Sequence, residues 1–219
     1  MQIFLDTTDL DAIREWLPHG LIDGVTTNPT LLARSGNTNR RECAADLAAL
    51  VAPRDVSVQV QHSDPAAMAD DARQLAEIAS NIVVKIPVIS ESGRPNLDTI
   101  ATLTEEKIPV NATACLSLAQ VVSVAKAGAR YASLLWGRAA DEGADAGTLV
   151  SEAVGLLEHY NFPTKVLVGS VRSAGDLTGA LRARADVVTV PPSVLSRWLD
   201  HHYSRATVAQ FQIDAKNVQ

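Results

Sequence analysis

Residues 81–88 read NIVVKIPV, a short apolar run that contains one lysine, Lys85, and a proline near its end. A run that is apolar at consecutive positions is typical of a strand buried on both faces, as in a parallel sheet. A buried ammonium group is costly unless it is paired or loses its proton, so Lys85 is unexpected in such a strand. What this lysine does depends on the fold around it.

Further runs of the same kind recur along the chain, and each is followed by a segment with helical periodicity. The candidate strands are IFLDT (3–7), GVTTN (24–28), VSVQV (56–60), IVVKIP (82–87), PVNATAC (109–115), YASLLWG (131–137), KVLVGSV (165–171) and DVVTVP (186–191). Eight strand–helix units in 219 residues predict a protein of the α/β class, a single-domain (β/α)8 TIM barrel over residues 1–219. The periodicity of the last segment predicts an extra C-terminal helix over residues 203–219.

A doubly wound open sheet is the competing architecture. It would normally carry a glycine-rich phosphate turn after its first strand, but residues 5–10, LDTTDL, contain no glycine. The least regular segments, residues 35–41 and 89–95, are predicted to be loops within the barrel.

Several helix starts are marked by capping residues. Thr8 is the predicted N-cap of the first helix, and Asp64 precedes a proline at the first position of another. Ser173 and Asp176 have the spacing of a capping box.

Composition and charge exclude several classes of partner. The net charge is −6 and no basic run is longer than Arg40–Arg41, which argues against nucleic acid as a partner. No apolar stretch approaches the roughly 18 residues that would indicate a membrane span. The N-terminus lacks signal-peptide features and the only cysteines are Cys43 and Cys115, so we expect a cytoplasmic protein. The histidine and cysteine spacings match no metal site, and we expect neither a metal nor another cofactor.

Polar side chains collect at the C-terminal ends of the candidate strands, where barrel enzymes have their active sites. Most have a plain structural explanation, such as helix capping, turn formation or solvated surface charge. Lys85 differs because the other lysines fall at helix ends, strand starts or the terminus. The predicted site comprises Asp6, Thr26, Asn28, Gln59, Lys85, Asn111, Thr113, Ser133, Arg138, Ser170 and Arg172.

A desolvated lysine has a lowered pKa, and its free amine is a nucleophile toward carbonyl carbon. The amine of Lys85 would form a carbinolamine and then a Schiff base with a ketone. The iminium withdraws electrons from the neighbouring C–C bond, which then breaks if a base takes the proton of a β-hydroxyl. Such retro-aldol cleavage needs no metal.

The C-terminal end of the predicted barrel is called the mouth below. The acidic side chain at this mouth is that of Asp6, which we expect to be the base for the substrate hydroxyl. Thr113 is placed to hold a water that exchanges protons at the nitrogen, and Gln59 is placed to orient it. These residues and Lys85 are the predicted catalytic group.

The other polar residues at the mouth are predicted to bind the substrate. Asn28 and Ser170 are suited to hydrogen-bond hydroxyl groups near the carbonyl. Arg138, with help from Arg172, is suited to hold a phosphate group. These residues together predict a small ligand that carries a ketone, hydroxyl groups and a phosphate.

Several motifs resemble the transaldolase family, in its short subfamily that also contains fructose-6-phosphate aldolase. They are LDTTDLDAIREWL, GVTTNPTLL, VVKIPV, the N-A-T of the fifth strand, AGARYASLLWGR, VLVGSVR, ADVVTVPPSVL and HHYSRATVAQF. The resemblance implies a class I enzyme on a (β/α)8 barrel that moves a dihydroxyacetone unit from a ketose phosphate to an aldose phosphate. It assigns the Schiff base to Lys85 and a substrate hydroxyl to Asn111. It also implies a homo-oligomer, a pentamer or decamer, in which the C-terminal helix reaches a neighbour.

The chain departs from the family pattern at three positions. Transaldolases usually have a glutamate where this chain has Gln59, and the aldolase branch has glutamine. Leu135 stands where transaldolases have phenylalanine and the aldolase branch has tyrosine, and Ala215 replaces a common tryptophan.

These departures leave three hypotheses. The chain is a transaldolase, an aldolase that releases free dihydroxyacetone, or a sugar-phosphate-binding barrel without turnover. The donor and acceptor sugars stay open, as does the choice between the pentose phosphate pathway and specialised sugar synthesis.

Overall fold

A computed structural model describes residues 1–36 and 39–218, and its strands close into one parallel barrel in chain order. The strands are β1 (Gln2–Asp6), β2 (Gly24–Thr26), β3 (Asp55–Gln59), β4 (Ile82–Pro87), β5 (Val110–Cys115), β6 (Tyr131–Leu135), β7 (Lys165–Gly169) and β8 (Val187–Val190). Each lies within one of the predicted runs or overlaps it almost completely. The prediction of a TIM barrel is confirmed.

The connections between the strands are helical. The helices are α1 (Leu10–Trp16), α2 (Pro29–Ser35), α3 (Arg40–Val51), α4 (Pro65–Ala76), α5 (Leu97–Glu105), α6 (Leu118–Lys126), α7 (Trp136–Asp141), α8 (Ala146–His159), α9 (Ala174–Arg182), α10 (Pro192–Leu199) and α11 (His202–Lys216). A 3-10 turn, Leu17–His19, follows α1. Among the described residues, no helix is both long and apolar enough to cross a membrane.

The capping residues explain where the helices begin, with one correction. Asp64 caps α4, and Ser173 forms a capping box with Asp176 at the start of α9, as predicted. The prediction for α1 was wrong, because Asp9 caps it and not Thr8. The Asp9 carboxylate accepts hydrogen bonds from two backbone N–H groups of the first turn, and a charged acceptor is favoured at that end of a helix.

The inside of the barrel changes character along the strands. Near the N-terminal ends it is filled by an apolar cluster made of Phe4, Val83, Tyr131, Leu167 and Val187. Side chains two positions apart on a strand point to the same face, so the next inward layer starts two residues later. That layer contains Asp6, Lys85, Ser133, Gly169 and Thr189. The polar strand ends therefore lie directly above an apolar floor.

The sheet becomes irregular at the mouth, on β5. The register between β5 and β6 shifts between Ala112 and Cys115. Ala114, inside this irregularity, has a φ of 62°, a left-handed conformation that costs a non-glycine residue roughly 1–2 kcal/mol. Ser170, which follows β7, has a φ of 57°. Both strained residues lie at the C-terminal end of the barrel.

The segments predicted to be loops connect helices and strands as expected. In residues 35–41, α2 ends at Ser35 and α3 begins at Arg40, and positions 37 and 38 lie outside the described residues. Residues 89–95 form a turn closed by an antiparallel bridge between Ile89 and Pro95.

The extra C-terminal helix is present as α11, one residue earlier at its start than predicted and ending at Lys216. Gln219, the last residue of the predicted range, lies outside the described residues. No residue of α11 is buried, although Tyr203, Phe211 and Ile213 are large and apolar.

Candidate active site

A cavity of about 530 Å³ opens at the C-terminal ends of the strands. Eight of the eleven predicted site residues line it, and three do not. The lining members are Asp6, Asn28, Gln59, Lys85, Thr113, Ser133, Arg138 and Ser170. Residues that are far apart in sequence thus share one pocket, as the barrel topology predicted.

Lys85 lies near the end of β4 with its amine at this cavity. Its Nζ donates one hydrogen bond, 3.1 Å long, to the backbone oxygen of Thr27. Within residues 1–36 and 39–218 it forms no ion pair closer than 4.0 Å. Burial lowers the pKa of the Lys85 amine, and the charge of Asp6 opposes that shift. Burial thus favours the neutral form of the amine, and the Lys85 side chain lines the cavity.

Asp6 supplies the carboxylate of the site. Its Oδ1 accepts a 2.8 Å hydrogen bond from the hydroxyl of Thr26. Burial raises the pKa of Asp6, whereas the charge of Lys85 and the hydrogen bond from Thr26 lower it. Burial thus moves the pKa of the acid up and that of the amine down, so the two values lie closer together than in water.

Asn111 lies beneath the cavity and is fully buried. Its Nδ2 donates to Ser57 Oγ at 3.0 Å, and its Oδ1 accepts from Ser133 Oγ at 2.6 Å. It is also the register partner of Lys85 on the neighbouring strand. The two serines fix the orientation of the amide at the side of the amine.

Thr26 is also fully buried and does not line the cavity. Its hydroxyl binds Asp6 and lies 2.6 Å from the hydroxyl of Thr189 on β8. Its described side-chain partners, Asp6 and Thr189, line the cavity, but Thr26 itself does not.

Asn28 performs two tasks at the start of α2. Its Oδ1 accepts a 3.0 Å hydrogen bond from Leu31 N and so caps the helix. The side chain also lines the cavity, and its amide nitrogen is not used in the cap. Asn28 can therefore cap the helix and bind substrate at the same time.

The two predicted phosphate-binding arginines have different surroundings. Arg138, on α7, is exposed and lines the cavity. Arg172 is outside the cavity lining and forms a bidentate pair with Asp141, with two contacts of 2.7 Å. The hydrogen bonds from Arg172 hold the pKa of the Asp141 carboxyl below its usual value.

Gly137 allows Arg172 to pack closely against α7. A Cβ at this position would lie 2.5 Å from Arg172 Nε and 2.6 Å from Ser170 O. The backbone N–H of Gly137 donates to that same oxygen. The glycine therefore links the segments that carry Arg138 and Ser170.

Sequence reasoning missed several residues of this region. Thr30 and Arg34 line the cavity from α2, and Thr189 lines it from β8. Ser57 and Thr189 each interrupt an apolar strand run, which is the same signal that identified Lys85. The positions on α2 carried no such signal, because their direction depends on how the short helix sits over the barrel.

The described residues contain no group of three histidine, cysteine or acidic side chains placed to hold a metal ion. The described polar groups of the mouth are an amine, a carboxylate, amides, hydroxyls and guanidinium groups.

The fold and the mouth have the architecture of a (β/α)8 enzyme, with polar groups at the C-terminal strand ends. A family profile described as "Transaldolase/Fructose-6-phosphate aldolase" matches residues 3–219. The chain belongs to this family. It is 37% identical over 219 residues to a "Probable transaldolase" of Dehalococcoides mccartyi, covering 100% of both chains. It is 40% identical over 214 residues to one of Caulobacter vibrioides, covering 98% of this chain and 96% of that one.

The fold also resembles the crystal structure of 2,3-dimethylmalate lyase, a member of the PEP mutase/isocitrate lyase superfamily. The TM-score is 0.60, the identity 15%, and the match covers 98% of this chain and 80% of that chain. At this identity the likeness shows the barrel fold alone.

Proposed function

We propose that the protein is a transaldolase that works through a Schiff base on Lys85. The observation that carries the proposal is an amine with a lowered pKa and no ion pair among the described residues, in one cavity with Asp6. A dihydroxyacetone unit would pass from a ketose phosphate to an aldose phosphate. The family membership and the probable-transaldolase relatives support this choice.

In the first half of the reaction, Lys85 Nζ attacks the ketone carbon and forms a carbinolamine. Loss of water gives the iminium ion. Thr113 and Gln59 line the same cavity, and we propose that they hold the water that exchanges these protons. Because glutamine cannot exchange a proton, it would orient this water and not act as an acid.

In the bond-breaking step, the carboxylate of Asp6 accepts the proton of the β-hydroxyl. The C–C bond breaks, its electron pair moves toward the iminium nitrogen, and an enamine and a free aldehyde result. A second aldehyde then enters, and the enamine carbon attacks it while Asp6 returns the proton. Hydrolysis of the new iminium releases the product ketose and the lysine amine.

Arg138 is proposed to hold the phosphate group of donor and acceptor, because it is the cationic side chain of α7 that lines the cavity. Arg172 is held by Asp141, so we assign it a smaller share of this task. Asn28 and Ser170, on other walls of the cavity, are proposed to bind substrate hydroxyls.

Release of free dihydroxyacetone is the second candidate function, and Gln59 favours it because the aldolase branch has glutamine at this position. Leu135 lines the cavity and argues against it, since its side chain has no hydroxyl to replace the tyrosine of that branch. We therefore favour transfer of the dihydroxyacetone unit over its release as the function of the protein.

We further propose that the protein is a homo-oligomer in which α11 packs against a neighbouring copy. The helix exposes Tyr203, Val208, Phe211 and Ile213 at 55–69% of their surface, an arrangement that a partner helix or barrel would cover. Native mass spectrometry tests this proposal. A variant truncated before α11 is expected to form an assembly of fewer subunits than the intact chain forms. Equal numbers of subunits would contradict the proposal.

The test of function is borohydride reduction in the presence of fructose 6-phosphate, followed by peptide mass spectrometry. We expect one adduct, on Lys85, and transfer to added aldose phosphate. Lys165→Met is the matched control because Lys165 lies at the opposite end of the barrel and should leave the adduct unchanged. No adduct at Lys85 with any ketose phosphate would reject the proposal, and dihydroxyacetone release without an acceptor would favour the second candidate.

A further inference from the structure

The carboxylate of Asp6 is hydrogen-bonded to a pair of threonine side chains on the two strands that flank β1. Thr26 on β2 is the register partner of Asp6 on β1, and Thr189 lies on β8, the other neighbour of β1. The hydroxyl of Thr26 donates to Asp6 Oδ1 at 2.8 Å and lies 2.6 Å from the hydroxyl of Thr189. Thr26 is 0% exposed and Thr189 is 4% exposed, so bulk water has little access to replace either contact.

The chemistry of these groups fixes the direction of the hydrogen bonds when Asp6 is ionised. A carboxylate accepts but does not donate, and a threonine hydroxyl carries one hydrogen. The hydrogen of Thr26 is therefore used toward Asp6. The contact between the two threonines then requires Thr189 to donate to Thr26 Oγ1.

We infer that Thr189 and Thr26 form a hydroxyl chain that holds Asp6 in its ionised form and in one orientation for proton transfer. The inference rests on the proposed function of Asp6 as the base. Thr26 and Thr189 are then positioning residues, since both act through the carboxylate.

The chain favours the carboxylate over the carboxylic acid. A hydrogen bond to a charged acceptor is stronger than one to its neutral form, and a donor behind Thr26 polarises its hydroxyl further. This opposes the effect of burial, which raises the pKa of Asp6. The other charged groups lining the same cavity are Lys85 on β4, Arg34 on α2 and Arg138 on α7. Of these, the charge of Lys85 lowers the pKa of Asp6 and so also favours the carboxylate.

The first test uses Thr→Val substitutions, which keep the branched shape and remove the hydroxyl. With fructose 6-phosphate as donor and erythrose 4-phosphate as acceptor, Thr26→Val should lower kcat/KM on the acid side of the pH profile about tenfold. Thr189→Val should lower it roughly two- to threefold. Above the acid limb both variants should approach the wild type. Thr26→Ser and Thr189→Ser should restore the profile.

The double variant Thr26→Val/Thr189→Val distinguishes a coupled hydroxyl chain from two independent packing effects. If Thr189 acts through Thr26, Thr189→Val has no further effect on the acid limb in a Thr26→Val background. Thr164→Val is the matched control for a lost buried hydroxyl, because Thr164, just before β7, donates to the backbone oxygen of Ala129, just before β6. This control should leave the acid limb unchanged.

The second test does not depend on turnover. The 13C resonance of the Asp6 carboxyl, assigned by its loss in Asp6→Asn, is titrated in the unliganded protein. It should titrate at higher pH in Thr26→Val and, by a smaller amount, in Thr189→Val. An unchanged titration in Thr189→Val, or an equal effect of Thr189→Val with and without Thr26, would overturn the inference. Failure of the wild type to turn over sugar phosphates would instead reject the proposed function. The titration of Asp6 would then still test the hydroxyl chain.

Discussion

The two ends of the barrel are built from the same strands but filled with opposite chemistry. At the N-terminal end, Phe4 and Tyr131 pack edge to face with ring centroids 5.9 Å apart. At the C-terminal end, Asp6 lies two residues after Phe4 on β1, and Lys85 lies two residues after Val83 of the same apolar cluster on β4. One end is closed by apolar side chains and the other is open and polar. In this fold, residues near the N-terminal ends of the strands stabilise the barrel, and residues near the C-terminal ends supply the reactive groups.

Polar groups do occur at the N-terminal end, but they are paired. The hydroxyl of Tyr131 donates to Asp55 at 2.6 Å, and Arg130 reaches the same carboxylate at 3.0 Å. Lys165 donates to Gln2 at 3.3 Å. The lysine of the mouth, in contrast, bonds only to a backbone oxygen among the described residues. A paired charge stabilises, whereas an unpaired amine is available to react.

The largest expected effect is that of Lys85→Met, which removes the nucleophile and keeps much of the side-chain volume. Transfer activity should fall by roughly 10⁴-fold or more, because no other group can form the imine. Coupled assays of sugar-phosphate transfer measure this loss. Lys165→Met, at the opposite end, should retain activity within about twofold of the wild type. Equal losses in the two variants would remove the distinction between the ends.

The next effect in size is that of Asp6→Asn, which keeps the shape of the side chain and removes the base. We expect kcat to fall by roughly 10²–10⁴-fold because the hydroxyl proton has no acceptor. Borohydride should still trap an adduct on Lys85, since amine attack precedes this step. Loss of trapping together with turnover would show that Asp6 acts earlier than proposed.

Arg138→Ala should affect binding more than chemistry. The KM for phosphorylated donors should rise roughly 10- to 100-fold, while unphosphorylated dihydroxyacetone donors change little. Steady-state kinetics with both donor types make the measurement. Arg172→Ala is the comparison variant, and a smaller rise is expected because Asp141 holds that side chain. A larger rise for Arg172 than for Arg138 would reverse our assignment.

The smallest effect is expected at the closed end. Tyr131→Phe keeps the ring in the apolar cluster and removes the hydrogen bond to Asp55. The free energy of unfolding should drop by about 1–2 kcal/mol, measured by denaturant titration. Activity should stay within about twofold. A loss of kcat with unchanged stability would mean that the closed end also takes part in catalysis.

Most of the fold was predictable from the sequence because each strand is a short apolar run and each connection has helical periodicity. The candidate site residues were predictable for a similar reason, since a polar residue in an apolar run is conspicuous. Lys85 and Asp6 share the cavity for which they were predicted. The barrel order follows from chain order, so no long-range pairing had to be guessed.

The remaining details depend on side-chain direction, which sequence does not specify. Thr26 and Asn111 were predicted to bind substrate, but both are fully buried and bonded to neighbouring side chains. Arg172 was predicted to help Arg138 bind phosphate, but its guanidinium group is hydrogen-bonded to Asp141. The role of each as a ligand of substrate stays a prediction. Such partners come from distant segments, and only packing brings them together.

The most direct measurement of the central claim is the titration of the Lys85 side chain by NMR, with 13C-labelled lysine and assignment by Lys85→Met. Burial lowers the pKa of this amine, so its resonance should move at a pH below the ordinary value for a lysine side chain. Addition of a ketose phosphate and borohydride should then shift this resonance alone. A Lys85 resonance that titrates at the ordinary pH of a lysine side chain and is unchanged by ketose would contradict the account.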